Sequence, residues 1–259
     1  MPQLKYAYRA TVTFSEKIHS HSFLLRLEPF ENEAQHIIEN NFHISPSGEI
    51  TQGIDTFGNK IVTGYIDELH NFFEFSSEGI LETYDYILKE ELHPIYLFQS
   101  KYTKPDTAIL ELSKHLSNKE KKTVEEKMVI FSNLLNHHIQ YEGGVTSIQT
   151  TAEESLRLGK GVCQDFSHLL ISLCRIHGIP ARYIAGFIEG EGFTHAWIEY
   201  YDSGYWHAFD PTHNRKVESG YIKIAQGRDY GDCALDKGVF KGIAFQQLDV
   251  IVKVEHDQQ

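Results

Sequence analysis

The segment GKGVCQDFSH, residues 159–168, contains the residue of this chain best suited to act as a nucleophile. Cys163 follows Gly161 and Val162 and precedes apolar residues at helical spacing, so the pattern predicts that it lies at a helix N-terminus. There the unpaired backbone N–H groups and the positive end of the helix dipole favour the thiolate, which is the reactive form of cysteine. The sequence therefore predicts a nucleophilic cysteine at position 163.

The chain has two other cysteines, and neither is predicted to react. Cys174 falls on the apolar face of the same helix and is expected to fill the core, whereas Cys233 is expected in a loop as a bystander. Three cysteines are too few, and odd in number, to form a disulfide framework. We therefore expect a reducing compartment, most simply the cytoplasm.

A nucleophilic cysteine needs a base, and the base needs an acceptor that orients it. The stretch HAWIEYYDSGYWHAFD offers His195 at the start of one strand and Asp210 at the end of the next. A two-residue loop at Asp202–Ser203 would pair His195 directly with Asp210, with Cβ atoms ~5 Å apart. A three-residue loop ending in a bulged Gly204 would put them on opposite faces, because the side-chain period of a strand is two. Turn chemistry leaves both registers open.

The histidine content limits what residue types alone can prove. With 15 histidines in the chain, a cysteine, a histidine and an aspartate in this order are expected by chance. The helix N-terminal position of Cys163 and the shared hairpin of His195 and Asp210 favour the catalytic interpretation. His19 and His21, like the pair at 137–138, have no carboxylate or thiolate beside them, so we expect no metal and no cofactor.

The composition excludes several classes of partner. The net charge of -12 argues against binding to nucleic acid or to anionic membrane surfaces, which both need a basic patch. No apolar run approaches the ~18 residues of a membrane span, and the first residues lack the apolar run of a signal peptide, so neither is expected. We expect a soluble protein, and the oligomeric state is left open.

The order of the predicted elements indicates an α+β fold. About ninety residues of short β stretches come first, with a hairpin at Gly58–Asn59. Helix starts follow at Asp106, Thr123 and Thr151, the last two with a glutamate three residues later. After the helix that begins near Cys163, strands are expected in ARYIAGFI, THAWIEYY, YWHAFDP, YIKIA and FQQLDVIVKVE.

Taken together, GVCQDFSHLLISLCRIHGIPARYIAGF, HAWIEYY and WHAFDPT resemble the transglutaminase-like superfamily. They are most similar to its bacterial members, which are commonly described as candidate cysteine proteases. DTFGN at 55–59 and GRDYGDCALDKGVFKG at 227–242 extend the resemblance outward. It implies an N-terminal β-sandwich-like domain over residues 1–100. It also implies a papain/transglutaminase-like catalytic domain over residues 101–259, in which a helix cluster packs on an antiparallel sheet.

The resemblance also implies the roles of the three residues. Cys163 is the nucleophile, His195 the general base and acid, and Asp210 the residue that orients His195. This triad would transfer the acyl group of a peptide or protein carboxamide through a thioester, as a protease, deamidase or transglutaminase. The Cys163 N–H is one candidate oxyanion donor and Tyr141 a weaker one. The alternative is a catalytically weak or inactive module with this fold that only binds peptides or proteins.

Overall fold

Strand β1 organises the first half of the molecule in the computed structural model, which describes residues 3–114 and 122–257. It runs over Gln3–Leu25, and its side chains alternate between buried and exposed for most of that length. The pairing register shifts between Thr13 and Ile18 and again between His19 and Ser22, so the strand bends midway. Its two halves therefore belong to two differently oriented parts of one curled sheet.

The curled sheet has eight antiparallel strands. Besides β1 they are β2 (Gln35–Ser45), β3 (Glu49–Ile54), β4 (Lys60–Ile66), β5 (His70–Thr83), β10 (Gly190–Gly192), β15 (Asp236–Lys241) and β16 (Gln246–His256). The first half of β1 lies between β5 and β16, and the second half lies between β4 and β15. The predicted β-rich N-terminal region is confirmed, and its strands form one curled antiparallel sheet.

The C-terminal strands β15 and β16 belong to this curled sheet and not to the sheet that follows the helices. FQQLDVIVKVE forms a strand, as predicted, but it pairs with the first half of β1, from Leu4 opposite His256 to Phe14 opposite Gln246. The alternation of a strand specifies its faces but not its partner, so the sequence did not indicate this pairing. The boundary between two domains at residue 100 stays a prediction.

A second antiparallel sheet combines one short strand that precedes the helices with five strands that follow the helix beginning at Cys163. Its strands are β6 (Ile87–Leu88), β9 (Ala181–Ile188), β11 (His195–Asp202), β12 (Tyr205–Asp210), β13 (Arg215–Lys216) and β14 (Tyr221–Gly227). The helices are a 3-10 turn (Pro94–Leu97), α1 (Thr107–Ser113), α2 (Val124–His138), α3 (Ala152–Leu158), α4 (Cys163–Ile176) and α5 (Tyr230–Cys233). A short parallel pair joins β7 (Gln140–Tyr141) to β8 (Lys160–Gly161). The predicted α+β class is confirmed.

Helix α4 lies at the centre of this half of the molecule. It packs against α1, α2 and α3 on one side and against β9 and β11 on the other. The predicted apolar residues are buried, and so are the polar side chains of Ser167, His168 and Ser172, so the helix is enclosed all round. Of the helices in the described residues, none is both long and apolar enough to span a membrane.

Two side-chain amides hold the curled sheet against the second sheet. The Asn59 amide donates to the Gln226 carbonyl at 2.9 Å and accepts from its N–H at 2.7 Å. Gln35 makes the same two bonds with the backbone of Lys223, at 2.9 and 2.8 Å. Both amides therefore satisfy the free edge of β14, as a neighbouring strand would. The hairpin residue Asn59 thus positions one sheet on the other.

Candidate active site

The N-terminus of α4 is shaped by Asp165. Its carboxylate reaches back to accept the Val162 N–H at 2.8 Å and the Thr146 hydroxyl at 2.8 Å. A Cβ on Gly161 would lie 2.7 Å from this side chain, so glycine is the residue that lets Asp165 fold back. Asp165 therefore holds the first helical turn, and the residue two positions before Cys163 must be glycine-sized.

Cys163 is the first residue of α4, as predicted from the sequence. It is half-buried and its thiol is free. Within residues 3–114 and 122–257, no acceptor for its backbone N–H is found, as expected at the start of a helix where no side chain caps. The sulfur and a free N–H group are thus presented together at the positive end of the helix dipole.

The hairpin that carries His195 and Asp210 has a different turn from either of the two considered from the sequence. Asp202 pairs with Tyr205, so the turn residues are Ser203 and Gly204, with φ of 52° and 93°. Positive φ at both central positions is the geometry of a type I′ turn, which suits the twist of a hairpin. Neither the Asp202–Ser203 loop nor the bulge at Gly204 is present. Both of the hairpin registers considered from the sequence are therefore wrong.

His195 and Asp210 nevertheless meet. His195 Nε2 lies 2.8 Å from Asp210 Oδ2, and both side chains are buried. Because the register pairs Ile198 with Phe209, continuing it puts Asp210 across from Trp197, two residues from His195. Residues two apart share a face of the sheet, so the contact is a diagonal one.

The protonation of His195 is set by its two partners. Burial lowers its pKa, but the hydrogen bond to Asp210 and a hydrogen bond with the Cys163 side chain outweigh burial and raise the pKa to about 9. Since Nε2 is bonded to Asp210, Nδ1 is the nitrogen left for Cys163. The charged form of His195 is therefore favoured at neutral pH, between the Asp210 carboxylate and the Cys163 side chain.

Asp210 accepts hydrogen bonds from more than His195. Its Oδ2 also accepts from His213 Nδ1 at 2.7 Å and from the Tyr221 hydroxyl at 2.8 Å, and its Oδ1 accepts the N–H of Thr212 at 2.9 Å. Burial raises the pKa of Asp210, but the bonds from His195, His213 and Tyr221 hold it well below its usual range. Asp210 therefore stays charged while it is buried.

Sequence reasoning missed His213 and Tyr221. His213 was one of 15 histidines, although its position three residues after Asp210 in a turn could have singled it out. Tyr221 lies on β14, a strand that does not pair with β12, so nothing in the local sequence indicated its contact. Both side chains donate a hydrogen bond to Asp210 Oδ2, in addition to the bond from His195.

One group of metal-ligand side chains comes together in the described part of the chain. It consists of His195, Asp210 and His213, whose donor atoms lie within 4.8 Å of one another. Both histidines already bond Asp210 Oδ2 directly, at 2.8 and 2.7 Å. The arrangement is that of a hydrogen-bonded network around one carboxylate oxygen.

Tyr141 and Gln164 lie beside Cys163. Tyr141 pairs with Gly161 across β7 and β8, and burial, Cys163 and Asp210 together raise the pKa of its hydroxyl. Gln164 donates from Nε2 to the Ser147 carbonyl at 3.4 Å and so holds the loop before α3. The two predicted oxyanion donors, the Cys163 N–H and Tyr141, thus lie at the same end of α4.

A cavity of about 870 Å³ opens at Cys163 and His195. It is lined by both sheets, and its wall is mainly apolar and aromatic, with Val12, Phe14 and Phe240 from the curled sheet. The volume is within the range of small-molecule and side-chain binding sites. Cys163 therefore lines a cavity between the two sheets.

The other two cysteines are both buried. Cys174 fills the core next to Met128, with 3.6 Å between the sulfur atoms, as predicted. Cys233 was predicted in a loop but ends the one-turn helix α5, and its thiol donates to the Tyr183 carbonyl at 3.5 Å. That helix begins at Asp229, whose side chain accepts the Gly231 N–H, a cap that the sequence reasoning did not use.

Comparisons with known families agree with this architecture. The model of the transglutaminase-like superfamily matches residues 111–211, and the model of the bacterial transglutaminase-like N-terminal region matches residues 4–82. The chain therefore has a transglutaminase-like core region preceded by a region that matches the bacterial transglutaminase-like N-terminal family. The matched core includes Cys163, His195 and Asp210.

Similar proteins are known from several bacteria. An uncharacterized protein of Mycobacterium leprae is 27% identical over 273 residues, covering 96% of this chain and 94% of that protein. An uncharacterized protein of Mycobacterium bovis is 33% identical over 115 residues, covering 38% of this chain and 37% of that protein. The crystal structure of a "Putative Cysteine Protease" from Cytophaga hutchinsonii is 26% identical, with a TM-score of 0.81 over 100% of this chain and 92% of that one.

Proposed function

We propose that the protein is a cysteine-dependent acyl-transfer enzyme that acts on peptide or protein amides, with Cys163, His195 and Asp210 as its triad. The observation that carries the proposal is the position of His195, which is bonded to Asp210 at 2.8 Å and lies close enough to Cys163 for the cysteine side chain to raise the pKa of His195. The match of residues 111–211 to the transglutaminase-like superfamily and the Cytophaga hutchinsonii neighbour support it.

The reaction begins from the charge pair of Cys163 and His195. The Cys163 sulfur adds to the carbonyl carbon of the amide, and the π electrons of the carbonyl move to its oxygen. The free backbone N–H of Cys163 donates to this oxyanion, with the Tyr141 hydroxyl as a second candidate donor. The dipole of α4 adds to the stabilisation of the developing negative charge.

Collapse of the tetrahedral intermediate breaks the C–N bond. His195 gives its Nδ1 proton to the leaving amine and becomes neutral, which leaves a thioester on Cys163. His195 then takes a proton from the attacking water or amine, and the thiolate leaves as the acyl group departs. Asp210 keeps the ring of His195 oriented through both steps, because its hydrogen bond to Nε2 does not involve the reacting nitrogen.

Water is the acceptor that we favour, which makes hydrolysis the main reaction. Bulk water is the default acceptor unless a site excludes it. The products would be a shortened peptide or a deamidated side chain. The substrate is proposed to be a peptide or protein that carries a carboxamide, and the location is proposed to be the cytoplasm, where the three free thiols would stay reduced.

The test is the rate at which iodoacetamide alkylates Cys163 as a function of pH, with peptide mass mapping. We expect Cys163 to react well below about pH 8, where a free thiol is largely protonated, and the buried Cys174 and Cys233 to react far more slowly. His195→Ala should slow alkylation at neutral pH at least about tenfold, because the imidazolium is lost.

His207→Ala is the matched control, since His207 lies on the same hairpin and faces Tyr200 away from the site. It should leave the alkylation profile unchanged. If Cys163 reacts no faster than an ordinary thiol, or if His195→Ala has no effect, the enzyme proposal loses its nucleophile. The peptide-binding module without turnover would then describe the protein better.

A further inference from the structure

The cavity that opens at Cys163 contains a carboxyl group that no other group in the described residues binds. Asp236, Tyr8, Tyr183 and Tyr230 line this cavity. Within residues 3–114 and 122–257, their side-chain oxygens have no hydrogen-bond partner. An apolar chamber with a few convergent, unsatisfied polar groups is the usual form of a ligand site.

These polar groups form a path along the cavity wall, starting at the nucleophile. Tyr183 is close enough to Cys163 for the thiol to affect the titration of its hydroxyl. The rings of Tyr183 and Tyr230 lie 6.5 Å apart and nearly perpendicular. Burial, and to a smaller extent the charge of Asp236, raises the pKa of the Tyr230 and Tyr8 hydroxyls, so Asp236 lies near both. Cys163, the two tyrosine rings and the Asp236 carboxyl group therefore line the same cavity.

Asp236 is positioned by the curled sheet. It is the first residue of β15 and pairs with Leu25 of β1, so it comes from the half of the molecule that does not carry the triad. The next residue, Lys237, directs its ammonium group to the Gly231 carbonyl and does not neutralise Asp236. Burial raises the pKa of Asp236 to about 6, with no bonded donor to offset it.

We propose that this cavity binds the alkylammonium group of a substrate, with Asp236 as the counter-ion. A compact ammonium has three N–H donors, and the Asp236 carboxylate and the hydroxyls of Tyr8 and Tyr230, which line the same cavity, are acceptors for it. The aromatic rings also favour a cation, and the apolar wall suits its methylene chain. The inference rests on the proposed function, because it assigns specificity to the same cavity.

The alkylammonium group has two chemical sources, which the test separates. It belongs either to the acyl donor, as a charged side chain near the carboxamide, or to the acyl acceptor. In the second case a diamine would bind Asp236 with its charged end and attack the thioester with its neutral end, and the acyl–nitrogen bond would replace the acyl–sulfur bond.

The donor arm compares iodoacetamides that carry tails of equal length ending in an ammonium, a methyl or a carboxylate group, for a series of lengths. At the best length we expect Cys163 to react about tenfold faster with the ammonium tail than with the methyl tail, and slowest with the carboxylate tail. In Asp236→Asn the ammonium-to-methyl ratio should fall to about one. Asp249→Asn, which removes an exposed charge on β16 outside the cavity, should keep the wild-type ratio.

The acceptor arm measures how a thioester on Cys163 partitions between water and added amine. If an alkyl diamine outcompetes the monoamine of the same length and Asp236→Asn removes the advantage, the ammonium belongs to the acceptor. Equal ratios for all tails and amines, or a preference that survives in Asp236→Asn, would overturn the proposal.

A third measurement does not depend on the reactivity of Cys163. The melting temperature is recorded with increasing alkylammonium or with the corresponding alcohol, for wild type and Asp236→Asn. Stabilisation by the ammonium alone, present in wild type and lost in Asp236→Asn, would support the site even if Cys163 proved unreactive and the enzyme proposal failed. No difference between ammonium and alcohol would reject the site while leaving the triad untouched.

Discussion

His195 and Asp210 meet diagonally across the β11–β12 hairpin, with 2.8 Å between Nε2 and Oδ2. The turn at Ser203–Gly204 sets this relationship, because it shifts the pairing by two residues from the register in which they would lie opposite each other. A shift of two residues keeps both side chains on one face, whereas a shift of one would have separated them. The contact between His195 and Asp210 therefore requires a register that differs by an even number of residues from direct pairing.

Replacing Asp210 by Asn should remove the charge that keeps His195 protonated. Without it, burial dominates, so the pKa of His195 should fall from about 9 to below its ordinary value near 6.5. Histidine NMR titration would measure this directly, and Cys163 alkylation at neutral pH should slow by at least about tenfold. Asp202→Asn, at the other end of the hairpin, should change neither quantity. A His195 that still titrates near 9 in Asp210→Asn would contradict the assignment.

The buried His168 should make the fold sensitive to acid. Burial, and to a smaller extent Arg175, lowers its pKa to about 3, and its Nε2 accepts the Tyr230 N–H. Between pH 6.5 and 3 the unfolded chain therefore binds a proton that the folded chain does not. The free energy of unfolding should fall as the pH falls, by about 2 kcal/mol between neutral pH and pH 5 from this residue alone. His21, whose pKa burial and His70 lower to about 4, acts in the same direction.

Urea unfolding at several pH values would measure this dependence. In His168→Gln the loss of stability between neutral pH and pH 5 should be smaller by about 2 kcal/mol, whatever the stability at neutral pH. The exposed His19→Gln is the control and should keep the wild-type dependence. Identical dependence in His168→Gln and wild type would show that His168 is not buried in its neutral form.

Replacing Asn59 by Ala should weaken the attachment of the two sheets. The change leaves the N–H and the carbonyl of Gln226 unpaired at a buried edge, at a cost of about 2 to 4 kcal/mol. Denaturant unfolding would measure the loss, and hydrogen exchange at the Gln226 amide should speed up. Asn41→Ala, which removes an exposed amide of β2, should cost less than about 0.5 kcal/mol. Equal effects of the two changes would mean that the edge of β14 needs no partner.

Local sequence was sufficient for most of the elements. The helix starts at Asp106, Thr123 and Thr151 are as predicted, because a capping residue bonds an N–H only three positions away. The position of Cys163 at the start of α4 follows from the same local rules, as do the strands of the second sheet. The sequence by itself also determined the residue types that can form a triad.

The tertiary structure decided which of these residues meet. The turn type set the register of His195 and Asp210, and the alternatives differed in a few backbone angles that the letters Asp-Ser-Gly do not specify. The strand order of the second sheet brought the Tyr221 hydroxyl to Asp210 although their strands do not pair. Strand pairing brought Asp236 and β16 to β1, across more than two hundred residues for β16. Such contacts join distant segments whose patterns give their faces but not their partners, so only the folded chain defines the site and its cavity.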